Sequence, residues 1–342
     1  ALVHLAGAEL NEGAITVANG GFAVLIAGAI ENKGLITAKY GTIALAAGNA
    51  VRLELAGNRL IGIAVTEEAK DLVVDHQGNR VYDQIKNTGT LDAEGGRVIL
   101  QAKSVEKLFQ RLINTEGIIK ATRLETTDGK VEFVANGPIN LQGAIRATDI
   151  QVGDVPQSIV PNTIIIQKET VIEAEKTITM VATELIEINS TICAPTVNLV
   201  SQGLIDTTSP TAIIQGTNVQ LQAHRFGRTN TPVNINADMI SIKRLNGDID
   251  IRQSLGIGSS IWIRGPPEGD SFGEIFYNAN ASQLTLEGIS LFTSGDPAQN
   301  APISARTIIL KAENSIGSAD RPFYFNAAIL GGATAQNGSI TF

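Results

Sequence analysis

The segment "NGDIDIRQ" holds the pair of side chains best placed for chemistry, Asp248 and Asp250. Residues two apart on a strand share a face, so the two carboxylates would stand together while Ile249 and Ile251 take the other side. Clustered acids on an outer strand can act as general acid and base on a glycosidic bond, or as Ca²⁺ ligands. A solvated strand face is spelled the same way, and that plainer reading fits the surrounding residues better. His4, His76 and His224 are scattered, with no carboxylate or cysteine at ligand spacing, so neither a metal centre nor a catalytic triad is indicated. Cys193, the only cysteine, cannot form an intrachain disulfide and reads as a small core residue. "LGIGSSI" lacks the third glycine and the following helix of a phosphate loop. The Gly-Gly-x-Gly-x-Asp wording of Ca²⁺-binding nonapeptides is also absent. The expectation is a non-catalytic chain without metal or cofactor.

A second kind of chemistry is contact. Aromatics are only 4% of the residues, yet the excursion at 264–282, "RGPPEGDSFGEIFYNANAS", gathers Phe272, Phe276 and Tyr277 beside Pro266 and Pro267, with Trp262 just ahead of it. Aromatic faces stack on sugars and anchor protein interfaces. These residues are therefore candidates for contacting a glycan or a protein, the alternative being that they cover the wall of the fold.

What would position such residues is set by composition and period. With 342 residues and 43% hydrophobic content the chain can bury a large core. Ile, Val, Leu, Ala, Thr and 34 glycines dominate, a mixture that favours short strands joined by tight turns. The net charge of −8, without basic clustering, argues against nucleic acid and anionic membranes as partners. No run approaches the ~20 apolar residues of a membrane helix. Residue 1 does not open a basic-then-apolar leader, so the sequence reads as a piece of a longer chain or a processed product.

The period is explicit. One half-unit, Asn-x-Gly-x-apolar-x-small, occupies residues 11–17, 32–38 and 87–93 and, with one extra residue, 114–121. A second, Gly-x-apolar-x-apolar-x-Ala, follows at 21–27, 41–47, 96–102 and 129–135. Beyond residue 150 the wording loosens but runs recur around Ile178, Val197, Val219, Ile240, Ile261, Leu284 and Ile308. Strands of three to five residues with one buried and one solvated face, wound parallel on one another, would bury the apolar positions in one column. Corner residues Gly34, Gly41, Gly89 and Gly96 would supply positive φ, Asn11, Asn32, Asn87 and Asn114 would tolerate left-handed geometry, and asparagines at one corner of successive coils, as at Asn11 and Asn32, would stack as a ladder of amides. The expected fold is all-β, a right-handed parallel β-helix of roughly 14 coils, ~65–70 Å long at ~4.8 Å per coil. Residues 1–150 would be regular coils, and 151–342 a continuation with looser repeats and a long loop at 264–282. "SVEKLFQRLIN" has helical spacing behind a capping Ser104 and predicts a short helix, "TEEAKDLV" a second one, and "DHQGNRVYD" a hairpin tip at Gln77-Gly78-Asn79.

The stretches "GGFAVLIAGAIENKGLITAKYGTIALAAGNAVRLELAGNRLIGIAV" and "IKNTGTLDAEGGRVILQAKSVEKLFQRLINTEGIIKAT" resemble the filamentous-haemagglutinin-like exoproteins of the two-partner secretion route. The likeness is close over residues 10–125 and returns in "ARTIILKAENSIGSADRPF", while 150–300 matches in period alone. The resemblance implies a right-handed β-helix, an outer-membrane secretion partner, and a secreted or cell-surface location on a Gram-negative bacterium. It further implies a role in adhesion to host or neighbouring-cell glycans or proteins. The Asn-Pro-Asn motifs of that family's secretion domain are missing. No functional residues transfer, because the matching positions are corners and core. The leading expectation is therefore an adhesin shaft segment continuous with the rest of a longer exoprotein. A self-assembling filament subunit, with copies end to end, is the alternative, and a polysaccharide lyase or hydrolase built on the acid pair comes third.

Overall fold

The computed structural model describes residues 2–4, 7–55, 61–227, 233–244, 249–252, 259–264, 273–277, 283–288, 291–293, 303–312, 314–320 and 322–342. Among them the chain is all-β and no helix forms. It divides into two compact units, Ala1–Thr183 and Glu184–Phe342.

In the first unit β1 (Leu2–His4) precedes strands that come in sets of three. These are β2 (Ala8–Asn11), β3 (Ala14–Thr16) and β4 (Phe22–Ala27), followed by β5 (Ala29–Asn32), β6 (Leu35–Thr37) and β7 (Thr42–Ala47). After β8 (Ala50–Leu55) and β9 (Ile61–Glu67) the sets resume with β10 (Asp83–Asn87), β11 (Thr90–Asp92) and β12 (Arg97–Ala102), then β13 (Arg111–Thr115), β14 (Ile118–Ala121) and β15 (Lys130–Ala135). The last two sets fuse their second and third members: β16 (Ile139–Leu141) with β17 (Ala144–Val152), and β18 (Thr163–Ile166) with β19 (Val171–Ala182). Each set pairs parallel with the next, first member on first (β2–β5–β10–β13–β16–β18). Second and third members follow the same rule.

The apolar alternation explains this order. Ile30, Ile85, Ile113, Ile139 and Ile164 align in the first column, Ile36, Leu91, Ile119, Ile145 and Ile172 in the second, and Leu45, Leu100, Phe133, Val152 and Met180 in the third, all essentially inaccessible. Burying each such side chain is worth about 1.5–3 kcal/mol, which fixes register, because a slip of one residue would turn every one of them outward.

The third column departs from the expected one-buried, one-solvated strand. β7 is buried at every position, and β12 and β15 at all but their first. Their outer residues Ala44, Ala46, Ile99, Gln101 and Val134 lie beneath other chain. The antiparallel hairpin β8–β9 supplies part of that cover, and Val51, Val65 and Ile63 close a small second core over Ala46 and Ile26.

The expected helix at "SVEKLFQRLIN" is a turn that runs into β13, with Lys107 at φ 63°. Pairing with β10 and β16 buries Ile113 and Asn114 completely, a gain that a marginal, isolated helix of this length cannot match. Ser104 does not cap: its hydroxyl donates to the carbonyls of Ala69 (3.3 Å) and Val105 (3.0 Å). "TEEAKDLV" is likewise not helical, since Ala69 bridges Ser104 in parallel. The hairpin at residues 74–80 forms as expected, Val74 opposite Arg80, with Gly78 at φ 83°. The Asp75 carboxylate accepts from the backbone N–H groups of Gln77 and Asn79, both at 2.8 Å.

The second unit contains β20 (Leu185–Ile188), β21 (Ile192–Cys193), β22 (Thr196–Ser201), β23 (Leu204–Asp206), β24 (Ile213–Ala223), β25 (Arg225–Phe226) and β26 (Val233–Arg244). There follow β27 (Ile249–Arg252), β28 (Ser259–Arg264), β29 (Gly273–Tyr277), β30 (Gln283–Gly288), β31 (Leu291–Thr293), β32 (Ile303–Ala312) and β33 (Phe325–Ala335). Val197, Val219, Ile240, Leu284 and Ile308 align through parallel pairs. Ile261 does not: it lies on β28, opposite Ile275, in an antiparallel meander of β27, β28 and β29. The segment expected as a long loop at 264–282 thus contributes a strand to that meander.

Candidate functional site

The asparagine corners are where the first unit concentrates buried polar atoms. Asn11, Asn32 and Asn87 sit in register on β2, β5 and β10. The Asn11 amide donates to Asn32 Oδ1 at 2.7 Å, and Asn32 donates to Asn87 Oδ1 at 2.7 Å. Both Asn32 and Asn87 are fully buried, so each bond replaces lost hydration rather than adding to it.

The ladder then breaks. The extra residue in the fourth half-unit makes Thr115, not Asn114, the partner of Asn87. A second ladder starts at Asn114 and runs with opposite polarity: Asn140 donates to Asn114 Oδ1 at 2.8 Å, and Gln167 donates to Asn140 Oδ1 at 2.5 Å. The reversal has a local cause. Asn114 donates its own amide to Asp83 Oδ2 (2.8 Å) and Glu116 Oε1 (2.9 Å), groups that when ionised only accept, so its oxygen is left to receive from the next set. Asp83 is fixed in turn by a two-pronged contact from Arg111, at 2.6 and 3.0 Å.

The corner glycines work differently from the expectation. None of Gly34, Gly41, Gly89 and Gly96 has a positive φ. A Cβ on any of them would overlap the carbonyl oxygen of the set before, namely Gly13, Gly21, Gly34 and Gly41 respectively. Close backbone approach is therefore what excludes a side chain. At the corner entering the third column, positive φ falls one residue earlier, at Gly20 (74°), Tyr40 (55°) and Gly95 (65°).

Charged side chains follow the stacking. Glu94 lies between Lys39 (3.1 Å) and Lys120, and hydrogen bonds from Lys120 and Lys39 hold its carboxyl below the usual range against the opposing effect of burial. Glu132, on the covered column, pairs with Arg97 and with Lys130 at 2.9 Å. Burial pushes its carboxyl up, but Arg97 and Lys130 outweigh it and the net direction is down. Such groups fasten one set to the next.

Of the candidate contact residues, Trp262 lies on β28 opposite Arg252 and Glu274. Phe276 and Tyr277 lie on β29, opposite Ser260 and Ser259. The meander thus puts Trp262 and Phe276 on neighbouring strands, while Phe272 falls outside the described residues. Asp250 is on β27, opposite Arg264 and Phe292, and Asp248 falls outside the described residues. His76 is exposed in its hairpin turn. Cys193 is half-buried on β21 rather than in the core. Among the described residues no three His, Cys, Asp or Glu side chains gather as metal ligands would. Sequence reasoning missed Asp83, Arg111, Asn140 and Gln167, whose roles come from partners many residues away; the spacing Asn114 to Asn140 was the one available signal. No family model, curated protein or solved structure matches the chain.

Proposed function

We propose that the chain is a structural and adhesive shaft segment of a secreted or surface-exposed bacterial exoprotein, wound as a right-handed parallel β-helix and without catalysis of its own. The observation that carries this reading is register. Equivalent strand positions of the first unit return in parallel pairing from set to set, as successive coils of one winding would. Parallel crossovers are right-handed almost without exception, which supplies the hand. Residues 10–125 resemble filamentous-haemagglutinin-like exoproteins, and this supports export through an outer-membrane partner and attachment to a longer shaft. Contact with host or neighbouring-cell glycans or proteins has one exposed candidate surface in the hairpin at 72–82. There Leu72, Val74 and Tyr82 are at least half exposed and Arg80 stacks 5.3 Å over the Tyr82 ring. The test is the denatured mass and location of the native polypeptide, read with a peptide antibody on cells and culture medium. A surface or medium band far above 36.0 kDa is the expected result; a band confined to the cytosol would refute the reading.

A second reading, a filament subunit stacking head to tail, is favoured by one feature. The eleven-residue β33, FNAAILGGATA, contains no charge and no proline. It pairs with β32 alone among the described residues and exposes Ile329 and Leu330. Edge strands usually carry charge or proline to prevent further pairing, and a head-to-tail contact that does not close gives fibres. Light scattering that stays monomeric at high concentration would exclude it.

A further inference from the structure

Four Asn-Gly dipeptides occur in the chain, at Asn19, Asn136, Asn246 and Asn337; Asn246 falls outside the described residues. The same two residues meet three different environments in the others. Asparagine followed by glycine is among the least durable sequences in a protein, because the glycine nitrogen, unshielded by a Cβ, can reach the asparagine side-chain carbon. Two things restrain that reaction in a folded chain: a fixed side-chain amide and an engaged glycine N–H.

Asn136 has the first restraint. Its amide donates to Glu68 Oε1 (2.8 Å) and to the Ser104 carbonyl (3.1 Å), and its oxygen accepts from the Ser104 N–H (3.1 Å). Asn19 has the second: it is exposed in a turn, but the Gly20 N–H donates to the Lys39 carbonyl at 2.8 Å. Asn337 has neither. It is exposed in the bend that follows β33, and among the described residues neither its amide nor the Gly338 N–H has a hydrogen-bond partner.

We propose that Asn337-Gly338 is a site of spontaneous covalent modification. The Gly338 nitrogen, after losing its proton, attacks Cγ of Asn337. The new C–N bond closes a five-membered succinimide, the C–NH₂ bond breaks, and the amide nitrogen leaves as ammonia. Water then opens one of the two ring carbonyls, giving aspartate or its β-linked isomer. The net change is water in, ammonia out and one negative charge gained, with no oxidant or enzyme required. The chain cannot readily shed this liability at the glycine: a Cβ on Gly338 would overlap Ser315 Oγ and crowd the Asn314 carbonyl, the same close approach that fixes the corner glycines of the first unit. Close packing thus retains the glycine that leaves Asn337 open to attack.

The test is to age the intact folded chain in mildly alkaline buffer and follow each Asn-Gly peptide by mass spectrometry, scoring the one-dalton gain and the β-linked isomer. The same measurement on the denatured chain supplies intrinsic rates. Folding should slow Asn136 and Asn19 by about tenfold or more, as expected from their hydrogen bonds, and leave Asn337 within about threefold of its denatured rate. Asn337→Gln should remove the reactive peptide without disturbing Gly338. Equal slowing at all three sites, or faster conversion at Asn19 or Asn136 than at Asn337, would overturn the proposal.

Discussion

β12 and β22 differ more than their sequences suggest. RVILQA and TVNLVS both alternate, and Leu100 and Leu199 are equally buried on the inner side. On the outer side Ile99 and Gln101 are covered, whereas β22 follows strict half-buried, buried alternation, and its neighbour β24 leaves Gln220 exposed. The inner face is thus decided by the repeat, and the outer face by whichever excursion lies over it.

Mutations can break this comparison in order of size. Leu100→Ala and Leu199→Ala should each cost about 2–5 kcal/mol in chemical denaturation, because both empty an inward position; a large difference between them would deny the two strands a common inner role. Next comes the outer face. Ile99→Ala should cost about 2 kcal/mol or more and Gln220→Ala no more than about 0.5 kcal/mol, so equal values would mean that the cover over β12 contributes nothing. Replacing Asn32 by Ala should cost about 1–3 kcal/mol, because the Asn11 amide loses its acceptor and the buried Asn87 oxygen loses its donor. Asn140→Ala should match it if the two ladders are equivalent despite their opposite polarity.

The last effect is electrostatic. The Glu132 carboxyl is lower in the folded chain than in the unfolded one. Its contribution is therefore present above the unfolded carboxylate range, near ~4.3, and is lost as pH falls through the folded value. Titrating the denaturation midpoint downward from neutrality, the parent should lose about 1 kcal/mol more than Glu132→Gln, a modest figure because Arg97 is partly solvated.

The inner columns were legible because they obey a local period: Asn11, Asn32 and Asn87 could be aligned by eye, and their amide ladder followed. The extra residue before Ala121 was also visible, but not its consequence, since the reversal depends on Asp83, which is 31 residues from Asn114. Ile261 misled for a numerical reason. The 44-residue interval from Ile240 to Leu284 divides into two intervals of ordinary length, yet the pairing joins those two residues directly. The helical spacing of "SVEKLFQRLIN" failed because burial in a strand outweighed local preference. Of the contact and acid candidates, Trp262, Phe276, Tyr277 and Asp250 take their strand positions from backbone pairing with distant residues. Nothing in local sequence could bring those partners into view.

The overlap that forbids a side chain at Gly34, Gly89 and their equivalents has an implication for how such a molecule changes over generations. Each bare α-carbon is matched to the carbonyl before it and presents its own carbonyl to the one after, so a whole set can be copied and inserted with its fit intact. A single corner cannot drift alone, because its neighbour has no room to accommodate the change. Along Gly34, Gly89, Gly117 and Gly143 the joint accepts a whole added set more readily than a single added side chain.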